Sequence, residues 1–251
     1  MTDVNEKKIC LVTGGTGGIG SAICKSLSDA GFSVIATRRP SKELSIDEIR
    51  EKLFGGYDDI YVYDLDVSSF ESCSLLIDNI RADFGLISVL VNNAGITDDS
   101  SINKMEVSQW NSVISTNLDS VFYLSKLVIG SMCDQGWGRI VNISSINGQK
   151  GQFGQVNYSA SKAGILGFTK ALAAEGARFG VTVNSISPGY VETKMVTALP
   201  EKVITSIVSQ IPVGRLGQPC EIAHTVLFIV DEKSAFLTGS NIAVNGGHYM
   251  L

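Results

Sequence analysis

Short runs of β-branched and other apolar residues alternate along the chain with longer stretches of helical period. The runs 9–12, 32–37, 60–63, 89–91, 139–143, 181–186 and 241–244 read as strands. Helical spacing opens after the first run and continues to about residue 30, then returns at 69–84, 107–133, 156–179 and 219–230. Strands that are apolar throughout are covered on both faces, and their alternation with helices predicts a parallel sheet between two helical layers. The expectation is one doubly wound α/β domain spanning residues 1–251, with about seven parallel strands. The stretch 189–216, which holds Pro200 and Pro212, breaks the pattern and reads as irregular. Neither a Pro/Ser-rich linker nor an internal repeat interrupts the chain.

Composition narrows the function. The chain has 26 Gly and 5 Pro, where average usage gives roughly 18 and roughly 13. A glycine excess without proline or repeat period marks backbone working at close quarters. With 44% hydrophobic and 18% charged residues the chain is neither disordered nor collagen-like. A net charge of −5 argues against a nucleic-acid partner. The five Cys are odd in number and contain no CxxC, and His224 and His248 stand in unrelated contexts, so neither disulfides nor a metal site are expected. The polar start, residues 1–8, has no leader-like apolar region, and no apolar run approaches the roughly 18 residues of a membrane span. The expectation is a cytoplasmic protein with no membrane partner.

Thr13-Gly14-Gly15-Thr16-Gly17-Gly18-Ile19-Gly20 follows the first strand and opens the first helix. Glycines there permit a tight turn, backbone approach to a pyrophosphate and close helix–strand packing, and the helix N-terminus offers free N–H groups to phosphate. This is the physics of a Rossmann-type dinucleotide site. The spacing TGxxxGxG resembles the short-chain dehydrogenase/reductase family. A 2′-hydroxyl cofactor would meet an acid at the end of the second strand. Here the chain reads Thr37-Arg38-Arg39, and two guanidiniums suit a 2′-phosphate, so NADPH/NADP+ is the expected cofactor. The resemblance further implies adenine contacts from Asp66 and Val67. It also implies an NNAG element in Asn92, Asn93, Ala94 and Gly95, and a nicotinamide-side element in Pro188 and Gly189 with Thr193 nearby.

Tyr158 and Lys162 lie at i and i+4 and share a helix face. Ser145 stands 13 residues earlier, just past a strand, at the sheet edge where open α/β folds bind ligands. With Asn117 these residues reproduce the family's catalytic tetrad. In that role Tyr158 exchanges a proton with a carbonyl oxygen, Ser145 orients that oxygen, and Lys162 with the cationic cofactor lowers the phenol's pKa while holding the nicotinamide ribose. Asn117 would support a water linked to Lys162.

Residues 136–155, with 211–217 and 245–247, resemble the acetoacetyl-CoA reductases of this family. The resemblance implies a short acyl group framed by Gln149, Phe153, Gln155 and Tyr190, a 3R-hydroxy product, and a homotetramer. The 3-oxoacyl-acyl carrier protein reductases are the alternative. Their acidic partner needs basic docking residues, and 133–137 contains Asp134 and no base, although Arg139 and Arg178 are available. This favours CoA. A catalytically silent nucleotide-binding scaffold and a sugar or steroid dehydrogenase are further alternatives.

Overall fold

A computed structural model describes residues 7–41 and 43–250; the polar start before Lys7, where no leader was expected, lies outside the described residues. Seven parallel strands form one sheet in the order β3-β2-β1-β4-β5-β6-β7. The strands are β1 (Ile9–Val12), β2 (Ser33–Arg38), β3 (Ile60–Asp64), β4 (Ile87–Asn92), β5 (Gly138–Ile143), β6 (Val181–Pro188) and β7 (Asn241–Val244). Between them run α1 (Gly18–Asp29), α2 (Ile46–Phe54), α3 (Phe70–Asp83), α4 (Val107–Ile114), α5 (Ser120–Asp134), α6 (Asn147–Lys150), α7 (Val156–Gly176), α8 (Lys194–Thr197), α9 (Glu201–Val208) and α10 (Pro219–Val230).

The sheet is sandwiched between two apolar layers, and alternate strand residues feed each. From β1, Cys10 and Val12 pack with Ile23 and Leu27 of α1 and Ile222 and Val226 of α10. Ile9 and Leu11 pack on the opposite face with Ile80 of α3 and with Leu124 and Met132 of α5. Strands β1, β4, β5 and β6 are buried along their whole length, whereas the edge strand β7 is not. The continuous apolar runs of the sequence therefore mark the central strands. Strand order reverses between β1 and β4, and the crevice beyond their carboxyl ends is where such sheets take ligands.

Three stretches differ from expectation. The segment 189–216 is not wholly irregular, since it contains α8 and α9. Helix α2 was not anticipated, although Ser45 and Glu48 form a reciprocal capping box at its start. The long helix expected over 107–133 is split by a π turn, Ser115–Asp119, that carries Asn117. Such turns widen a helix locally and are frequent at functional sites.

Candidate active site

On one side of the crevice, backbone builds the site. Gly14 has φ +60°, and a Cβ on Gly20 would fall on the Gly14 carbonyl, so neither position accepts a side chain. The turn is pinned to β4. Thr13 Oγ1 accepts from the N–H groups of Asn93 and Ala94 at 3.0 Å each, and Asn93 Nδ2 donates to the carbonyls of Thr13 (2.9 Å) and Gly14 (3.1 Å). Helix α1 begins after Gly17 with no side-chain cap, leaving its first N–H groups and the positive end of its dipole toward the crevice. Ile19 sits in that first turn, half-buried against the apolar layer. Thr193 stands over the same turn, 2.9 Å from where a Gly18 Cβ would lie. A cleft continues from Gly14 past Thr37 and Arg39 to Asp66, Val67 and Gly95. These residues fit an extended dinucleotide: glycine cradle, free helix N-terminus, and a cleft with a cation at its far end.

The two arginines expected at a phosphate both line this cleft but are held differently. Arg38 is directly opposite Asp64 in the β2–β3 register. Its Nε donates to Asp64 Oδ1 at 2.6 Å and its Nη1 to the Leu44 carbonyl at 2.7 Å, and the side chain is buried. Arg39 is exposed at the cleft. The Asp66 carboxyl is held low chiefly by Ser68, with Arg39 contributing.

On the other side, side chains build the site. Ser145 lies two residues beyond β5, and its Oγ accepts from the Asn147 N–H at 3.1 Å. Tyr158 and Lys162 occupy successive turns of α7, with Nζ 5.7 Å from the phenol ring centroid. Lys162 is buried, donates to the Ile143 carbonyl at 2.8 Å, and is pushed down to about 8 by desolvation. Asn117 is fully buried. Its Oδ1 accepts from the Ile96 N–H (2.8 Å), and its Nδ2 donates to the Ile96 carbonyl (3.0 Å) and to Ser161 Oγ (3.2 Å). A Cβ on Gly95 would sit 3.3 Å from Asn117 Oδ1 and 3.4 Å from Lys162 Nζ, Lys162 lies beside the Tyr158 ring, and Ser145 hydrogen-bonds the phenol, so the four tetrad residues converge. Burial pushes Tyr158 up, Ser145 opposes this, and Asp99 and Tyr190 add to the rise.

Pro188 ends β6, its carbonyl accepting from Ile146 N–H at 2.9 Å, and Gly189 N–H donates to Val244 at 2.9 Å. Tyr190 follows, stacked 5.9 Å from His248 and lining a largely apolar cavity with Ile211, Val213 and Val244. The expected substrate residues of this loop differ in their surroundings. Phe153 is 91% exposed. Gln155 has both ends of its amide engaged, Oε1 by Asn147 Nδ2 (2.9 Å) and Nε2 by Asp99 Oδ2 (2.8 Å). Gln149 keeps a buried Oε1 without a partner. Arg139 is also not available for docking. It is 2% exposed, stacked 4.5 Å from Trp137, and donates to the carbonyls of Gly138 and Gly180. Sequence reading missed Asp99, Asn147 and the Lys150–His248 contact (3.1 Å); the partners lie 8 to 98 residues apart, and no local signature links them.

Among the described residues, no helix is long and apolar enough to cross a membrane, and no group of His, Cys, Asp and Glu could hold a metal ion. The pattern of the short chain dehydrogenase family matches residues 8–203. The chain is 53% identical over 243 residues to an acetoacetyl-CoA reductase of Rhizobium meliloti (strain 1021), covering 96% of this chain and 98% of that one. It is 50% identical over 252 residues to an acetoacetyl-CoA reductase of Acinetobacter sp. (strain RA3849), covering 98% and 100%. To the 3-oxoacyl-acyl-carrier-protein reductase of Escherichia coli (strain K12) it is 44% identical over 246 residues, covering 98% and 99%.

Proposed function

The chain belongs to the short-chain dehydrogenase family, whose members use nicotinamide cofactors, and on that premise we propose that it catalyses the NADPH-dependent reduction of acetoacetyl-CoA to 3-hydroxybutyryl-CoA. The observation that carries the reading is the convergence of Ser145, Tyr158, Lys162 and Asn117 beside the glycine cradle. Gly14, Gly18, Gly20 and the first turn of α1 would hold the pyrophosphate. Arg39 would meet the 2′-phosphate, and Asp66 and Val67 the adenine. Bound there, the reduced nicotinamide supplies a hydride to the carbonyl carbon.

The chain's own residues manage the oxygen. Ser145 donates a hydrogen bond to it, stabilising the charge that develops as the carbonyl is reduced. Tyr158 then gives up its proton. A phenol whose proton affinity is raised by burial stays protonated at neutral pH, as a general acid for reduction must. Lys162, held at about 8, is mostly cationic at neutral pH and offsets the phenolate left behind. Tyr190 and the apolar cavity beside it would take the short acyl group.

Burial of Arg139 strengthens the preference for CoA, because it removes one of the two bases that could meet an acidic carrier protein. The carrier-protein reading keeps one favourable observation, the exposed Arg178 at the end of α7. We further propose a homotetramer, supported by exposed Phe228 on α10 and exposed Phe236, and by β7 standing at the end of the sheet. The deciding experiment follows NADPH oxidation with acetoacetyl-CoA and acetoacetyl-carrier protein side by side. Faster turnover of the CoA thioester, and much weaker use of NADH, are expected. A carrier-protein rate tenfold above the CoA rate would transfer the assignment to the alternative.

A further inference from the structure

A continuous chain of hydrogen bonds runs from the surface to the catalytic serine. The loop after Gly95 is stitched to the start of α7 at three consecutive residues. The Asp98 carbonyl accepts from Asn157 Nδ2 (2.9 Å), Asp99 Oδ2 accepts from Gln155 Nε2 (2.8 Å), and Ser100 N–H donates to the Gly154 carbonyl (2.9 Å). Gln155 passes the connection inward, its Oε1 accepting from Asn147 Nδ2 at 2.9 Å. Asn147 is 7% exposed, and its own N–H reaches Ser145 Oγ at 3.1 Å. Helix α6, which Asn147 begins, lies against Lys162 so closely that a Cβ on Gly148 would come within 2.7 Å of the Lys162 backbone.

A serine hydroxyl has one proton and two lone pairs. An N–H fixed on one lone pair leaves the proton and the second lone pair to face the remaining neighbours, here Tyr158 and the substrate oxygen. We propose that Asp99, Gln155 and Asn147 form a brace that sets the direction of the Ser145 hydroxyl, with Asp99 and Gln155 acting as positioning residues and not as substrate contacts. The brace rests on the reductase reading for its catalytic meaning, but its existence does not. It also assigns a use to Gln155, whose amide is engaged once at each end, by Asn147 and by Asp99. The Asp99 carboxylate acts on the phenol as well, raising its proton affinity through space.

The test is a charge-swapped pair. Gln155→Glu sets two carboxylates against each other and breaks the outer link, while its second oxygen still accepts from Asn147. Asp99→Asn added to it restores a donor opposite Glu, so the double variant rebuilds the brace with its charge moved across. For Gln155→Glu, kcat on acetoacetyl-CoA should fall about tenfold with KM within about twofold, the loss expected when orientation alone suffers. Amide hydrogen exchange in residues 144–151 should quicken about tenfold. The double variant should return kcat to within about threefold of the parent and restore the protection. A Gln155→Glu protein with raised KM and unchanged kcat would make Gln155 a substrate contact and overturn the brace. So would a loss that Asp99→Asn does not repair, or exchange that does not change. If the parent protein fails to reduce acetoacetyl-CoA, the functional reading falls, and the exchange measurement still decides the brace.

Discussion

The two walls of the crevice hold their shape by different means. Along β1, α1 and β4 the determinants are chiefly backbone, with Gly14 in the left-handed region and Gly20 against a carbonyl, while the side chains of Asn93 and Thr13 tie one loop to the next. Along α6 and α7 they are side chains that spend most of their polar capacity on each other, as in Asp99–Gln155–Asn147–Ser145. A wall of backbone accepts almost no substitution but needs few partners. A wall of side chains tolerates sequence change at each position, yet its function depends on several contacts being right together. The first suits a cofactor that keeps its shape, and the second suits a substrate site that must discriminate.

Removing one oxygen from the second wall should give the largest and cleanest effect. Tyr158→Phe takes away the acid and leaves α7 packed, so kcat should drop by about 10² to 10⁴ while NADPH affinity, read by fluorescence titration, stays within about threefold. Gly20→Ala on the first wall should do the reverse and lose cofactor affinity first, because its Cβ must displace the turn. If both variants lost binding and turnover in equal measure, the division between the walls would fail.

Legibility in the sequence follows the same division. Gly14, Gly18 and Gly20 were readable because their spacing falls between the first strand and the first helix, a placement that adds to an otherwise weak glycine signal. The strands were readable because a parallel strand buried on both faces is apolar throughout. Tyr158 and Lys162 share a helix face by their spacing, but they were readable only with Ser145 and the family resemblance beside them. Arg38, Arg139 and Gln155 were not, since each has a polar end that many partners could satisfy. The fold supplied Asp64, the Gly180 carbonyl and Asp99, which lie 26, 41 and 56 residues away. Helix α8 is a single turn without a side-chain cap, so nothing local announced it. Helix α2 did announce itself, through Ser45 and Glu48.

Lys162 sits where the walls meet, and pH reads its burial. Its folded-state value of about 8 lies below the ordinary 10.5, so the unfolded chain binds more protons between those limits. Stability therefore rises with pH across that window, because the cost of burying the cation is full below about 8 and gone above about 10.5. The rise attributable to this group is at most about 3 kcal/mol. Denaturant unfolding of the protein without cofactor should show that slope, and Lys162→Met should flatten it. An unchanged slope in the variant would place the titration elsewhere.

The smallest effect probes the charged side chains at the far end of the backbone wall. Arg39→Ala should raise KM for NADPH about tenfold and leave NADH nearly unaffected, because losing one exposed charge–phosphate contact is worth roughly 1.4 kcal/mol. Arg38→Ala should act by another route. Its guanidinium is 6% exposed and bound to a carboxylate that is 38% exposed, so its loss should lower stability by about 1–2 kcal/mol, a partial desolvation cost. It should weaken NADPH and NADH alike, through β2 and the cleft it shapes. Steady-state kinetics with both cofactors, beside thermal unfolding, separates the two. Were Arg38→Ala the variant selective for NADPH, its pairing with Asp64 would have to break when cofactor binds, and the first wall would be less rigid than its glycines imply.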